Sequence, residues 1–440
     1  MKLSSNKAKY KKKKEILDKL FSFQRFGIKP GLGRTKKLIS FLDNPQEHFH
    51  SIHVAGTNGK GSVCSMLASI LMEQGYRTGL YTSPHLVSFN ERISINGKLI
   101  EDEDLIGLSE EILPYAEHIG ATFFEITTAM AFKYFAEQKT EVAVIETGMG
   151  GRYDSTNVLL PMLSIITKVD YDHSEYLGNT LAKIAFEKAG IIKKSKPVVV
   201  SKNDNVVYDV IRKKAKSKAS ELILADESMK CGEFTYKDDL TMDIKMESDV
   251  CHYPSVNVAL AGSHQIDNIK TVWSAIKIVN RSMEVTKKSV CDGFKNIIKN
   301  TNFHCRTELI NKEYPIVLDV AHNPDSVRQT VGTIIDCGLE KKKWNIVFAL
   351  MSDKDAVNVL KYLKLICYKL IITKPEITRA AEPEDLKLKA IESGIKNIVI
   401  TKNVRESAEL VLSKPQPILV IGSFYLLGEF LPFLNKTIKE

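Results

Sequence analysis

The sequence predicts an α/β protein built on mostly parallel sheet and divided into two domains. Three observations predict it. Short apolar runs alternate with segments of helical apolar spacing, and most of the runs end in glycine or a polar residue. The alternation breaks off once, between Glu221 and Tyr253, and then resumes. The chain has 440 residues, too many for one ordinary core, so two or three domains are expected.

In chain order, residues 51–55 read as a strand (Ile52, Val54) and 62–74 as a helix with Val63, Met66, Leu67, Ile70 and Leu71 on one face. Residues 78–81 read as the next strand and 127–136 as a helix. Apolar strands follow at 142–145, ending in Glu146, and at 163–166, ending in Thr167-Lys168. Residues 180–189 read as a helix stopped by Gly190 as C-cap. The short, polar-interrupted stretches at 234–236 and 242–246 predict an antiparallel excursion, and 265–279 is helical again. Residues 296–302 are Asn/Lys-rich and make the best linker candidate. Beyond them, strands at 316–320, 344–349, 370–373, 397–401 and 417–421 with helices between make a second α/β unit. The expected division is a larger domain over 1–297 and a smaller one over 302–440.

Composition removes several function classes. At 44% hydrophobic and 26% charged residues the chain reads as a soluble globular protein. No stretch approaches the ~20 uncharged apolar residues of a membrane span. The lysines between Lys7 and Lys14 are followed by Glu15 and Asp18 rather than an apolar run, so no signal peptide is expected. Seven scattered cysteines without a C-x-x-C pair read as reduced thiols in a cytoplasmic protein, with neither a disulfide framework nor a zinc site. The net charge of +9 comes mostly from lysines mixed with acids, as in Glu340 followed by Lys341 to Lys343. That pattern is a solvated surface; no aromatic-interleaved basic patch points to nucleic acid. A positive cleft would suit a small polyanionic substrate.

The sharpest motif is His53-Val-Ala-Gly-Thr-Asn-Gly-Lys-Gly-Ser62, in which a strand enters a glycine-rich turn and a helix follows. Gly56, Gly59 and Gly61 let backbone wrap phosphate oxygens, the amides from Thr57 to Ser62 can turn inward, and Lys60 adds a full positive charge at the helix mouth. The loop departs from the strict G-x-x-x-x-G-K-[ST] form: Val54 stands at the first glycine and Gly61 at the hydroxyl. Downstream, Glu146 ends an apolar strand and opens Glu146-Thr-Gly-Met-Gly-Gly-Arg152, where a P-loop enzyme holds Mg²⁺. Thr167-Lys168-Val169-Asp170 looks like the guanine-reading N-K-x-D of GTPases, but its first residue is wrong and no D-x-x-G accompanies it.

The loop Gly56 to Ser62 resembles the ATP loop of Mur ligases and, in its Lys-Gly-Ser ending, of folylpolyglutamate synthase/dihydrofolate synthase enzymes. Thr82-Ser-Pro-His-Leu86, Phe123-Phe-Glu-Ile-Thr-Thr128, Glu146 to Arg152, Asp170-Tyr-Asp-His173 and Glu187-Lys-Ala-Gly-Ile191 match that family in order. So do Gly262-Ser-His-Gln265 with Asn268, Asp319-Val-Ala-His-Asn-Pro324, Asp353-Lys-Asp355 and Gly422-Ser-Phe-Tyr425. The matches span about residues 26 to 429. The resemblance implies a P-loop ATPase domain followed by a smaller, Rossmann-like C-terminal α/β domain. It implies that Thr57, Asn58, Gly59, Lys60, Gly61 and Ser62 bind the ATP phosphates, that Asn268 faces the adenine, and that Arg306 and Asp319 complete the ATP site. Ser83, Glu146 and His173 would hold Mg²⁺, Lys188 would carry a carbamate, and His322 would lie near the reacting carboxylate. Thr122, Phe123, Phe124 and Glu125 match the pterin-binding run, although Phe123 and Phe124 can equally be core; Tyr153, Asp154 and Ser155 would lie beside the substrate channel. Two positions depart from the family: Val320 stands at a usual glycine, and Phe303-His-Cys-Arg306 replaces a Pro-Gly-Arg-like run.

The expected activity is ATP-dependent ligation of L-glutamate to a reduced folate through an acyl phosphate, with dihydropteroate as a second acid substrate, in a cytoplasmic monomer. One alternative is a Mur-type ligase of peptidoglycan precursors, which would need a further UDP-binding domain ahead of residue 51. The other is a non-catalytic nucleotide-binding regulator, which would not need Lys60, Glu146, His173, Lys188 and Asp319 together.

Overall fold

The computed structural model describes residues 2–27, 29, 31–248 and 251–439. Its first sheet has eight strands: β1 (His50–Ala55), β2 (Thr78–Tyr81), β3 (Ile93–Ile95), β4 (Lys98–Leu99), β5 (Val142–Glu146), β6 (Leu163–Ile166), β7 (Val198–Val200) and β8 (Leu222–Leu224). They lie in the order β4-β3-β2-β5-β1-β6-β7-β8. The run from β2 to β8 is parallel, and β3 and β4 form an antiparallel edge.

Strand β5 shows why the central strands read as continuous apolar runs. Val142 and Val144 face a core formed with the helices Lys60–Glu73 and Ser263–Val279. Ala143 and Ile145 face the opposite core, formed with Asp102–His118 and Phe123–Glu137. Both faces are covered, so both sets of alternating side chains are apolar. The predicted excursion is a three-stranded antiparallel sheet of β9 (Lys230–Tyr236), β10 (Met242–Ser248) and β11 (Cys251–Val258). It contributes Met242, Ile244, Met246, Val256 and Val258 to the first of these cores.

The second sheet comprises β12 (Glu308–Asn311), β13 (Ile316–Asp319), β14 (Trp344–Phe348), β15 (Cys367–Ile372), β16 (Ile398–Ile400) and β17 (Ile418–Ile421). Its order is β12-β13-β17-β14-β15-β16, parallel except for β12. The loops at the carboxyl ends of both sheets meet, as ligand crevices in open parallel sheets require.

Three expectations change. The predicted linker is helical: Ile297–Thr301 packs on the helix Lys60–Glu73, and Asn300 Nδ2 donates to Ser69 Oγ (3.0 Å) and Glu73 Oε1 (2.8 Å). Those asparagines are polar because they bond a neighbouring helix. Gly190 is not a C-cap. Thr180 caps the helix Leu181–Lys188, which runs on into a 3₁₀ turn over Ala189–Ile191, and a Cβ on Gly190 would collide with the Arg152 backbone. The helix expected from residue 127 begins at Phe123, because Thr122 and Glu125 form a capping box.

Candidate active site

Parallel pairing of β1 with β5 places Val54 beside Glu146, so the loop leaving β1 starts next to that carboxylate. Gly56 packs so closely on Thr167 that a Cβ would overlap the threonine hydroxyl. Gly59, at φ +84°, caps the helix Lys60–Glu73, and a Cβ there would lie 2.5 Å from Asn268 Oδ1. The run Thr167 to Asp170, mistakable for a guanine-reading motif, splints the loop. The Thr57 and Asn58 amides donate to the Lys168 carbonyl (2.7 and 3.2 Å), and Thr57 Oγ1 exchanges bonds with the Asp170 backbone (2.9 and 3.0 Å). The expectation that the amides turn inward from Thr57 onward is therefore corrected. Gly59 to Ser62 remain, ahead of the first intrahelical bond, Val63 N–H to Gly59 C=O. The Asn58 side chain crosses to the second domain: its Nδ2 donates to Asp325 Oδ2 (3.0 Å), and its Oδ1 accepts from Asn323 Nδ2 (3.2 Å).

Lys60 Nζ lies 4.0 Å from Glu146 Oε1, and Glu146 Oε2 accepts the Ser83 amide at 3.1 Å. Burial pushes the Glu146 carboxyl above its usual range, although Lys60 opposes the shift. This buried, under-compensated carboxylate tests the fit of a divalent cation. Ser83, Glu146 and His173 line one cleft, and among the described residues no group of three or more His, Cys, Asp or Glu side chains could hold a metal by itself. One carboxylate and one hydroxyl, the rest being water and phosphate, suit Mg²⁺, which keeps several waters and takes few protein ligands; the His173 imidazole is a softer ligand than Mg²⁺ usually takes. The set fits, with Glu146 as its anchor. His173 has φ +51°, a strained value for histidine, and burial lowers its pKa to about 4 against the pull of Asp172, so its ring is neutral.

Lys188 is buried behind the loop, with Nζ donating to the Gly56 carbonyl at 2.6 Å. Burial, and then Lys60, lower its pKa to about 7. Gly151 and Gly190 make room for this packing; a Cβ on Gly151 would lie 2.8 Å from the Lys188 carbonyl oxygen.

The second wall comes from the other domain. The Arg306 guanidinium lies between the rings of Phe303 (4.8 Å) and Phe424 (5.0 Å) and reaches over Gly61. The departure at Phe303 thus supplies one face of its aromatic clamp. Asp319 Oδ2 accepts the Thr307 amide (2.8 Å) and the hydroxyls of Thr307 (2.7 Å) and Thr330 (2.9 Å), while Oδ1 accepts the Ala321 amide (2.7 Å). His322 Nδ1–H donates to the Val320 carbonyl (3.0 Å), leaving the lone pair on Nε2, and burial followed by Lys354 lowers its pKa. Asn268 lines the same cleft, its Nδ2 donating to Gln265 Oε1 at 2.8 Å. The cleft measures about 650 Å³ and takes lining from both domains, including Thr57 to Ser62, Ser83, Glu146, His173, Asn268, Arg306, Asp319 and His322.

Thr122 to Glu125 and Tyr153 to Ser155 lie outside that lining. Phe123 is buried and stacks on Phe21 at 5.6 Å, whereas Phe124 is half-buried and packs against Gly148. Phe123 is thus core and Phe124 faces the site's edge. Glu125 Oε2 accepts Thr122 N–H (2.7 Å), Thr122 Oγ1–H (2.9 Å) and Arg34 Nε–H (3.0 Å), leaving Oε1 buried without a partner. Asp154 is engaged locally, accepting the amides of Met149 (2.9 Å) and Thr156 (3.0 Å); Ser155 is buried and Tyr153 exposed, under Arg152 at 4.7 Å. Sequence reasoning gave no role to Lys354, whose Nζ bridges the domains to Asp172 Oδ1 at 2.6 Å. The Asp353-Lys-Asp355 triplet was the available signal.

Two family models match the chain, the Mur ligase middle domain over residues 54–276 and the glutamate ligase domain of Mur ligases over residues 305–424. The dihydrofolate synthase/folylpolyglutamate synthase of Bacillus subtilis is 34% identical over 92% of this chain and 95% of its own length. Among solved structures, the folylpolyglutamate synthase of Thermotoga maritima superposes with a TM-score of 0.83 at 31% identity, covering 96% of each chain. A folylpolyglutamate synthase in complex with AMPPCP and folate superposes with a TM-score of 0.83 at 28% identity, over 96% of this chain and 99% of that one. With the phosphate loop, the strand-end carboxylate and both domains in place, the chain belongs to the folylpolyglutamate synthase/dihydrofolate synthase family of Mur-type ligases.

Proposed function

We propose that this chain joins L-glutamate to reduced folates with ATP, through an acyl phosphate, and accepts dihydropteroate as a second acid. The observation that carries the reading is a cleft with Lys60 and Glu146 on one wall and Arg306 and His322 on the other. The names of the relatives and the nucleotide-and-folate complex of a structural neighbour support the choice of substrates.

The amides of Gly59 to Ser62 and the Lys60 ammonium hold the phosphates. Ser83, Glu146 and His173 would hold Mg²⁺, which when bound draws charge from the phosphoryl oxygens. As the folate carboxylate attacks the γ-phosphorus, Lys60 and Arg306 face the charge that spreads over the transferring group. Neutral His322, with its lone pair on Nε2, takes a proton from the amine that attacks the acyl phosphate. The two domains exclude water from that intermediate. We take the enzyme to be a cytoplasmic monomer acting on small molecules, with neither nucleic acid nor membrane as partner. Among the described residues, no helix is long and apolar enough to cross a membrane.

Incubating the protein with Mg-ATP, labelled glutamate and tetrahydrofolate should yield labelled product and one ADP per bond. No product with tetrahydrofolate overturns the proposal; product with tetrahydrofolate but not dihydropteroate removes only the second acid.

A further inference from the structure

Arg306 lines the cleft from the second domain, and a strained stretch of backbone sets its position. Asn302, Cys305 and Thr307 all have left-handed φ, at +53°, +60° and +50°. None of them is glycine, and Thr307 is β-branched, so each conformation persists only where its surroundings enforce it. Cys305 stands one residue ahead of Arg306, where the Pro-Gly-Arg-like run that this chain replaces has its glycine. Glycine takes a left-handed φ at no steric cost; cysteine does not.

Two carboxylates enforce the turn, one on each side of Arg306. Asp319 Oδ2 accepts the Thr307 amide at 2.8 Å. Glu308 Oε2 accepts the Cys305 amide at 2.7 Å, while Glu308 Oε1 accepts from His304 Nδ1 at 2.8 Å. The Cys305 carbonyl accepts the Val320 amide at 3.1 Å, which ties the turn to the end of β13. The two holds differ in kind. Asp319 is buried and receives four hydrogen bonds, whereas among the described residues Glu308 receives two, one of them from the exposed His304. The guanidinium adds little anchorage of its own. Among the described residues it has neither an ion pair nor a side-chain hydrogen bond; Asp319 and Glu146 act on it only at longer range, and the rings of Phe303 and Phe424 cover it.

Resting on the proposed ligase reading, we infer that the His304–Glu308 pair positions Arg306 for phosphoryl transfer. Neither residue lines the cleft, so the pair acts through the Cys305 backbone. It also makes the placement of Arg306 sensitive to pH. The hydrogen bond to Glu308 raises the His304 pKa above its ordinary value, against the opposing effect of burial. The other charged group that acts on His304 is Glu91 of the 3₁₀ turn Phe89–Arg92, which pushes the same way from longer range. The Glu91 oxygens are themselves taken by the amides of Leu86, Val87 and Ser88. His304 therefore keeps its proton to higher pH than a solvated histidine and releases it as pH rises through the raised value. Protonated, it gives Glu308 a charge-assisted bond; neutral, its Nδ1–H still donates, but more weakly. The hold on Arg306 loosens as pH rises.

The test follows kcat and KM with tetrahydrofolate across the neutral to alkaline range, in saturating bicarbonate so that Lys188 does not set the profile. We expect an alkaline limb in wild-type kcat; His304→Gln should lack it and run at the lower rate throughout. In Glu308→Gln one oxygen cannot serve both Cys305 and His304. That variant should lose roughly tenfold or more in kcat, the scale on which a group misplaced from outside the chemistry acts, with little change in the KM for glutamate. Cys305→Gly added to Glu308→Gln should return part of the loss, because glycine holds the left-handed φ unaided. ADP lacks the transferring group, so its calorimetric affinity should stay near wild type and reports the fold. The inference is overturned by a Glu308→Gln kcat equal to wild type, by a loss that Cys305→Gly leaves whole, or by an alkaline limb absent from wild type or surviving in His304→Gln. A fall in ADP affinity matching the fall in kcat also overturns it, since the pair would then hold the fold rather than Arg306. Wild-type protein that forms no product with tetrahydrofolate instead overturns the ligase reading on which the inference rests.

Discussion

Glu146 and Asp319 invite comparison because each is an acid at the carboxyl end of a fully buried parallel strand, one in each sheet. Glu146 was expected to hold Mg²⁺ and Asp319 to complete the ATP site. Glu146 receives one backbone amide and stands 4.0 Å from Lys60. Asp319 receives four hydrogen bonds, from Thr307, Thr330 and Ala321. Residue type and strand position are the same; the surrounding donors differ. An acid left short of donors is a cation site in waiting, whereas an acid with four donors ties the Arg306–Thr307 turn to the helix Pro324–Asp336. The first domain thus presents reactive charge, and the second holds Arg306 and His322 in place over it.

The most severe way to test this division is to remove the cation opposite Glu146. Lys60→Ala should abolish ligation, since a preorganised charge on the transferring group is lost, on the order of 2.7–4 kcal/mol or 10²–10³-fold. The fold should survive, because among the described residues the Lys60 ammonium makes one hydrogen bond, to the Thr57 carbonyl at 3.3 Å, and its ion pair with Glu146 is long at 4.0 Å. Turnover above roughly a tenth of wild type would contradict the assignment. Next in size, Glu146→Gln should raise the Mg²⁺ concentration for half-maximal rate by roughly tenfold or more, the scale on which metal sites respond even to outer partners. ADP affinity without metal should hold; a Mg²⁺ dependence like that of wild type would show that Glu146 is not the anchor.

The first-domain wall was legible because its signals are local. The phosphate loop is one contiguous run, and Glu146 ends an apolar strand that the 142–145 pattern already marks. The second-domain wall was legible as motifs but not as contacts. Lys354 meets Asp172 across 182 residues, and Asn58 meets Asp325 across 267, and no local pattern records such pairs. Asn58 was accordingly expected on phosphate, whereas its side chain bridges the domains. Composition misled at residues 296–302, because a free tether and a helix that bonds Ser69 and Glu73 both favour asparagine. The start of the helix at Phe123 was readable from Thr122 and Glu125 three apart, a capping-box spacing. Strands β3, β4, β7, β8 and β12, two to four residues long, were not expected, whereas β2, β6 and β16 are equally short and were marked by the runs at 78–81, 163–166 and 397–401.

Lys188 sharpens the comparison from the side of charge. With its pKa lowered to about 7, a large share of its amines is neutral at physiological pH, and the neutral amine is the form that adds CO₂, losing a proton to give a carbamate anion. Activity should fall on CO₂ stripping and return with bicarbonate, and Lys188→Glu should retain more activity than Lys188→Ala. Equal activity in the two variants with no bicarbonate effect would rule the carbamate out. The uncarbamylated protein also carries a pH signature. The unfolded chain keeps this proton up to about 10.5 and the folded chain releases it near 7, so stability rises with pH across that window. Lys188→Met should flatten that slope in denaturant titrations.

The smallest expected effects are the most discriminating, because they differ in sign. In Glu146→Gln the change removes a buried charge that has too few partners. Its raised carboxyl pKa means that the folded state disfavours the ionised form, so at neutral pH the native charge lowers stability. The metal-free variant should therefore unfold at higher denaturant than wild type, and the gain should shrink as pH falls and the native carboxyl takes up a proton. In Asp319→Asn an NH₂ group faces donors in place of an acceptor. At least one of Thr307 N–H, Thr307 O–H, Thr330 O–H and Ala321 N–H is left without a partner in a buried site, at a cost on the order of 1–3 kcal/mol. That variant should unfold at lower denaturant with an unchanged m-value. Urea titrations of the two metal-free variants beside wild type decide the matter: shifts of the same sign would mean that the two strand-end acids are doing the same job, and the distinction between cation site and scaffold would fall.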